Sequence, residues 1–297
     1  MEAACPTVRV KGRAVQILDL AAAVGVSFGL HETATASLSL LLISASAGSI
    51  FQTFPIGDAE AMHSIVCLLL YGSRARGDHD AQSDVDLTAI TSKHTPERVT
   101  IGSTTTVAYP LDHALRVARS GGLFAFHIVS EAKVLFETEP IFVRIQRAFR
   151  FRDDYTPLIR MCSEAGWFLL RHHEKAINIR KFNEAVAWCT REMLIARAAT
   201  ERLPVFSANG LAEFVGCSAV ASVIRSKRNA VIEPATIRAF QDILREFGAT
   251  EPASLPPLAS AEECFRAARN SAGVIAVRAF CTEDIRAAAG GKTDVTA

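Results

Sequence analysis

The chain is 297 residues long, 49% hydrophobic and 21% charged, which suffices for a sizeable buried core in one large or two ordinary domains. Its formal net charge of +1 removes any global electrostatic case for nucleic acid. The seven cysteines are scattered, mostly in apolar runs, with no CxxC or Cys/His metal spacing, which fits reduced thiols in a cytoplasmic protein rather than a disulfide framework.

Neither a secretory h-region nor a membrane span is expected, because the most apolar early run, Ala36 to Ala47, is short, serine-rich and far from the start. Residues 1–57 read as an N-terminal extension, mostly helical, with a short strand at Val8 to Val10 and helical spacing over Ala14 to Val24. Gly25-Val26-Ser27 would suit the turn of a small helix-turn-helix, but no basic recognition helix follows. A helical extension packed on the core is the plainer reading. Asp58 to Ser64 reads as a short helix with an Asp N-cap, and His63 within it has no partner at metal-ligand spacing.

The stretch Cys67 to Ile90 is the most informative. Val66 to Tyr71 is a continuous apolar run ending at a glycine, the pattern of a buried strand. Gly72-Ser73-Arg74-Ala75-Arg76-Gly77 reads as a tight turn entering a helix or loop. Ser83 to Ile90 reads as a second strand, on which alternation puts Asp84 and Asp86 on one face and Val85 and Leu87 on the other. Two neighbouring carboxylates repel unless a cation compensates them, and Mg²⁺ takes one or two carboxylates together with substrate phosphates. Gly72 and Gly77 permit a sharp bend and close approach to a ligand. N–H groups at such a bend attract phosphate oxygens, with Ser73 and Ser83 as hydroxyl donors and Arg74 and Arg76 as added charge. His79, in the intervening loop, reads as solvated.

GSRARG followed by SDVDL resembles the signature of the DNA polymerase beta-like nucleotidyltransferase superfamily, in the GSxARG…SDxDL form of its minimal and antibiotic-modifying branches. The resemblance covers roughly twenty residues and rests on both halves together. It implies an α+β fold, a small mixed-sheet nucleotidyltransferase core followed by a C-terminal α-helical domain. It also implies an NTP substrate such as ATP, Mg²⁺ (two ions where a third carboxylate is present), Asp84 and Asp86 as catalytic metal ligands, and nucleotide contacts from Gly72, Ser73, Arg74, Arg76, Gly77 and Ser83.

Beyond Ile90, Ser92 to Val99 reads as a polar loop and Thr104 to Tyr109 as a third strand. Leu111 to Ala118 and Phe124 to Lys133 read as helices, and Val134 to Phe136 as a short strand. The superfamily usually carries a third acid on its third core strand, where this chain has threonines, Val107, Ala108 and Tyr109. Asp112 is the candidate replacement, although it also suits a helix start, and Glu131 reads as structural. Without a third acid, Asp84 and Asp86 still suit one Mg²⁺-nucleotide, but two-metal transfer loses a ligand.

The chain divides on this reading into the extension 1–57, a core 58–140, a helical domain 141–290 and a tail 291–297. In the helical half, Leu158, Met161, Cys162, Ala165, Phe168 and Leu169 share one apolar face, and Phe182, Ala185, Val186, Cys189 and Met193 repeat the pattern. Pro234 suits a first turn, Gly248 a C′ stop, and Ser260-x-x-Glu263 a capping box. His172-His173 read as solvated beside Arg171 and Lys175. Arg225 to Arg228 reads as a solvated basic run, with a phosphate or acidic substrate as the sharper alternative.

The function expected is Mg-dependent transfer of an NMP group from an NTP to a hydroxyl, releasing pyrophosphate. A small-molecule or protein acceptor is favoured over RNA. The alternative is a weak or inactive nucleotide-binding regulatory module on the same fold. A DNA-binding regulator acting through the N-terminal region is a third possibility.

Overall fold

The computed structural model describes residues 65–81, 83–92, 97–101, 104–255, 257–258 and 271–280, together with five strands inside the first 54 residues. Those strands are β1 (Val8–Val10), β2 (Arg13–Val15), β3 (Val26–Glu32), β4 (Leu38–Ser44) and β5 (Gln52–Phe54). β1 pairs antiparallel with β2, and β4 pairs antiparallel with both β3 and β5. Within residues 1–57 every described element is a strand, the expected one at Val8 to Val10 among them, and Val26-Ser27 opens β3 rather than forming a helix-turn-helix turn; most of the stretch Ala14 to Val24 read as helical lies outside the described residues. The proposed helix at 58–64, with His63, and the capping box at 260–263 lie outside the described residues.

The chain splits into two compact units, one made of residues 1–120 and 127–150 and the other of residues 121–126 and 151–297. The first contains a five-stranded mixed sheet in the order β10-β6-β7-β9-β8, where β6 is Ile65–Tyr71, β7 Val85–Thr91, β8 Glu97–Ile101, β9 Thr104–Pro110 and β10 Lys133–Glu137. β7 and β9 run parallel and the other pairs are antiparallel. β6 sits between two neighbours and is buried at Cys67, Leu69 and Leu70. Burial on both faces is why its sequence is a continuous apolar run rather than an alternation. Leu70, Ala75, Val85 and Leu87 pack as one cluster, with Leu68 and Leu135 against it. β8 begins inside the segment read as a polar loop, and it lies at the sheet edge with β9 as its neighbour.

Four described helices lie wholly or partly in this unit: α1 (Gly72–Arg76), α2 (Leu111–Arg119), α3 (Leu123–Glu131), whose residues 123–126 are assigned to the second unit, and α4 (Ile141–Ala148). α4 belongs to the first unit, so the division falls at Arg150 and not at residue 140. The second unit is helical: α5 (Thr156–His172), α6 (Ile179–Thr200), α7 (Ala208–Phe214), α8 (Ala219–Arg225), α9 (Pro234–Phe247) and α10 (Ser271–Val277). Asn178 caps α6 by accepting the Lys181 N–H at 3.0 Å. α6 is buried nearly all round, including Phe182, Val186, Leu194 and Ala198. Its one buried amide, Asn183, donates to the carbonyls of Asn229 and Val231 at 3.0 and 2.9 Å.

Two readings in this unit are corrected. His172 is 9% exposed and packs edge-on to Phe168 and Phe280, with ring centroids 4.8 and 6.3 Å away, so it is a core residue and not a solvated one. Gly248 ends α9 in an extended conformation, not the left-handed one a C′ glycine supplies. A Cβ there would meet the Leu244 carbonyl oxygen at 2.6 Å and Ser163 Oγ at 2.8 Å, so close packing is what demands glycine.

Candidate active site

Gly72 follows β6 directly and opens α1 with φ at +77°, a conformation L side chains rarely adopt. Its register neighbour explains the glycine further. Tyr71 pairs with Asp86 across the β6–β7 ladder, so the turn leaves the sheet beside the Asp86 carboxylate. A Cβ on Gly72 would lie 2.7 Å from Asp86 Oδ2. α1 ends at Gly77, at φ +84°, whose N–H donates to the Ser73 carbonyl at 2.9 Å.

β7 begins at Val85, so Asp84 is the last residue of the preceding loop and Asp86 the second residue of the strand. Val85 and Leu87 are buried in the apolar cluster, Asp86 is half-buried, and Asp84 is exposed. Asp84 makes no hydrogen bond or ion pair among the described residues, and neither does the half-buried Ser73 hydroxyl.

The remaining predicted contacts are already engaged to different degrees. Arg74 Nη2 donates to the Ser83 carbonyl at 3.0 Å, tying α1 to the loop before β7, while its buried Nε has no hydrogen-bond partner among the described residues. Ser83 closes a turn on Asp80: its Oγ donates to Asp80 Oδ1 and accepts the Asp80 N–H, both at 3.0 Å. Arg76 is held by Asp78 at 3.1 Å and by Glu131 at 2.8 Å, so its charge is met within the protein. Burial pulls its pKa down, but hydrogen bonds and charge from Glu131 and Asp78 outweigh that and raise it above the ordinary arginine value. His79 is exposed.

Asp112 is not brought to this site. β9 runs parallel to β7 with Asp86 opposite Thr105 and Thr91 opposite Pro110. Asp112 follows Pro110 as an exposed residue in the first turn of α2, at the far end of the strand, about 16 Å further along the sheet at the usual rise per residue. The position paired with Asp86 is a threonine. Among the described residues there is no group of three or more His, Cys, Asp or Glu side chains suited to a metal ion. The pair Asp84 and Asp86 nevertheless fits the hard-oxygen donor set of Mg²⁺, Asp84 having no hydrogen bond or ion pair among the described residues and Asp86 lying beside the Gly72 turn.

Glu131 is the residue whose place here the sequence did not disclose. From the last turn of α3, its Oε1 accepts the Gly72 N–H at 2.7 Å and lies 2.8 Å from His127 Nε2, while Oε2 accepts Arg76 Nη1 at 2.8 Å. Burial pushes its carboxyl up, but hydrogen bonds and charge from His127 and Arg76 prevail and hold it below the ordinary glutamate value. The only signal in the sequence was the i, i+4 spacing of His127 and Glu131, which pairs them on one helix face without saying what they face.

Residues 59–141 match the family described as Polymerase beta, Nucleotidyltransferase. No curated protein matches the chain. Among solved structures the chain is similar to a nucleotidyltransferase-like protein from Exiguobacterium sibiricum 255-15, at 13% identity over 61% of this chain and 69% of that one, with a TM-score of 0.27. A likeness that weak carries no argument about this chain. No described helix is long and apolar enough to cross a membrane.

Proposed function

We propose that the protein transfers an NMP group from an NTP to a hydroxyl of an acceptor and releases pyrophosphate, a reading supported by the match of residues 59–141 to the polymerase beta nucleotidyltransferase family. The observation that carries this reading is the Asp86 carboxylate lying against Gly72, beside a Ser73 hydroxyl with no protein partner among the described residues. Asp84 and Asp86 are the residues that would hold Mg²⁺. Bound there with the nucleotide, Mg²⁺ supplies charge neutralisation on the phosphates. Ser73 donates to a phosphate oxygen at the mouth of the turn, and the unengaged Nε of Arg74 adds positive charge close by. The acceptor oxygen forms a bond to the α-phosphorus, the bond from that phosphorus to the bridging oxygen breaks in line, and the hydroxyl proton passes to solvent. Near-neutral net charge favours a small molecule or a protein as acceptor over RNA.

A second reading, nucleotide binding without turnover, draws support from the threonine opposite Asp86 and from the absence of a third acid beside the pair among the described residues. One experiment separates the two. The protein is incubated with each labelled NTP, Mg²⁺ and a cell extract, and label is sought in protein, RNA and small-molecule fractions. Transfer is expected, with loss on chelation and a drop of about two orders of magnitude or more in Asp84→Ala and Asp86→Ala. Asp84 is exposed, so its variant should stay folded by circular dichroism. Wild-type transfer by Asp84→Ala would overturn the site, and nucleotide binding without any label transfer would favour the second reading.

A further inference from the structure

Glu131 is only 7% exposed in its side chain, and both its oxygens are occupied by donors from separate parts of the chain. The Gly72 N–H comes from 59 residues away and the Arg76 guanidinium from 55, while His127 lies one helical turn back. The first N–H groups of a helix have no partner inside it, and a buried one left unpaired is costly. Gly72 is buried and occupies that position.

We propose that Glu131 is a positioning residue for nucleotide transfer: its carboxylate clamps the Gly72 amide and the Arg76 side chain, and so fixes the Gly72–Ser73 turn against Asp86. The proposal rests on the nucleotidyltransferase reading above. Gly72 can hold φ +77° only if something fixes its peptide plane, because glycine itself prefers no one region. A charge-assisted hydrogen bond at 2.7 Å is a short, strong restraint on that plane. Arg76, four residues on and in the last turn of α1, is bound by the same carboxylate, so both ends of the helix answer to one group. Asp86 Oδ2 lies 2.7 Å from the position a Cβ on Gly72 would take, so the turn that Glu131 holds is an immediate neighbour of that carboxylate. Service as a third metal ligand would bring a divalent cation to a carboxylate whose Oε2 already meets the Arg76 guanidinium at 2.8 Å, setting two positive charges against each other.

The test compares wild type, Glu131→Gln and Glu131→Ala in three measurements: steady-state kinetics with NTP, the Mg²⁺ concentration for half-maximal transfer, and hydrogen exchange of the segment 72–77. Gln keeps an acceptor for the Gly72 N–H but turns a second amide donor toward Arg76, so it retains part of the clamp. Loss of positioning should lower kcat/KM about ten- to hundredfold in Ala and less in Gln, with an unchanged Mg²⁺ midpoint and exchange in 72–77 faster by about tenfold in Ala. A Gln variant as inactive as Asp84→Ala, with a raised Mg²⁺ midpoint, would make Glu131 a metal ligand and overturn the proposal. A fall in melting temperature alone, with kinetics and exchange unchanged, would reduce it to a structural residue and also overturn it. Wild-type protein that neither binds nor transfers nucleotide would overturn the functional reading and the positioning role together. Exchange in the Ala variant would still report on the clamp, so the two failures are told apart.

Discussion

Gly72 carries two constraints at once, a left-handed backbone and a neighbouring carboxylate oxygen where its Cβ would be. Gly72→Ala should therefore lose about 1–3 kcal/mol in urea denaturation and push Asp86 aside, lowering transfer at least as much as stability predicts. Unchanged stability would mean the turn relaxes freely. The Glu131 carboxyl faces Arg76 from α1, His127 from its own helix and the Gly72 amide, which together leave its folded pKa below the ordinary value of 4.5. A depressed carboxyl contributes stability that is complete above the ordinary value and lost as pH falls through the folded one. The stability gap between wild type and Glu131→Gln should thus be widest near neutral pH and close on acidification below 4.5; a gap constant with pH would contradict the ion pairs. Cysteine behaviour follows from burial in the same way. Burial, with Glu137 nearby, pushes the Cys67 thiol up to about 12, and burial raises Cys162 and Cys189 as well, while Cys217 is half exposed. Alkylation of native protein mapped by mass spectrometry should mark Cys217 and spare the other three until urea is added.

Helix faces were readable because burial repeats at helical spacing: the apolar positions named for α5 and α6 fall within the observed helices. The extent of burial was not. α6 also buries Ala187, Ala196, Ala198 and Ala199, which the apolar pattern named for this helix did not include. Close contact of α5 with α9 depends on a glycine that periodicity does not single out. A Cβ on Gly166 would meet Leu244 Cδ1 at 2.9 Å and Phe240 Cζ at 3.0 Å. Gly166→Ala gains about 1 kcal/mol of helix propensity but adds volume to a filled space at a cost of about 1–3 kcal/mol, so it should show a net loss of up to about 2 kcal/mol in urea denaturation. A gain in stability would show that the two side chains repack at no cost. Val8 to Val10 was read as a strand, but β2 to β5 and the edge strand β8 were not. Strand pairing is set by partners elsewhere in the chain, which a local reading does not contain.

At the scale of the whole chain, the sheet-containing unit and the helical unit each hold a core of their own. Gly72 and Gly166 lie in different units, and an added Cβ would meet Asp86 at the first and Leu244 and Phe240 at the second, so the double variant Gly72→Ala, Gly166→Ala should lose the sum of the single losses to within about 0.5 kcal/mol. A clear departure would reveal coupling between the units. What the sequence determined by itself was local: an apolar run ending at Gly72, a glycine-bounded turn, and two acids separated by one residue leading into the next strand. These are read over about twenty neighbouring residues, where spacing and side-chain chemistry suffice. Tertiary structure alone decided which distant groups meet that turn. Parallel pairing of β7 with β9 carried Asp112 to the far end of the sheet and set a threonine opposite Asp86. The return of α3 brought the Glu131 carboxylate onto the Gly72 amide. Strand register and helix placement are settled by burying apolar faces against one another, a property of the assembled unit that no short window of sequence contains.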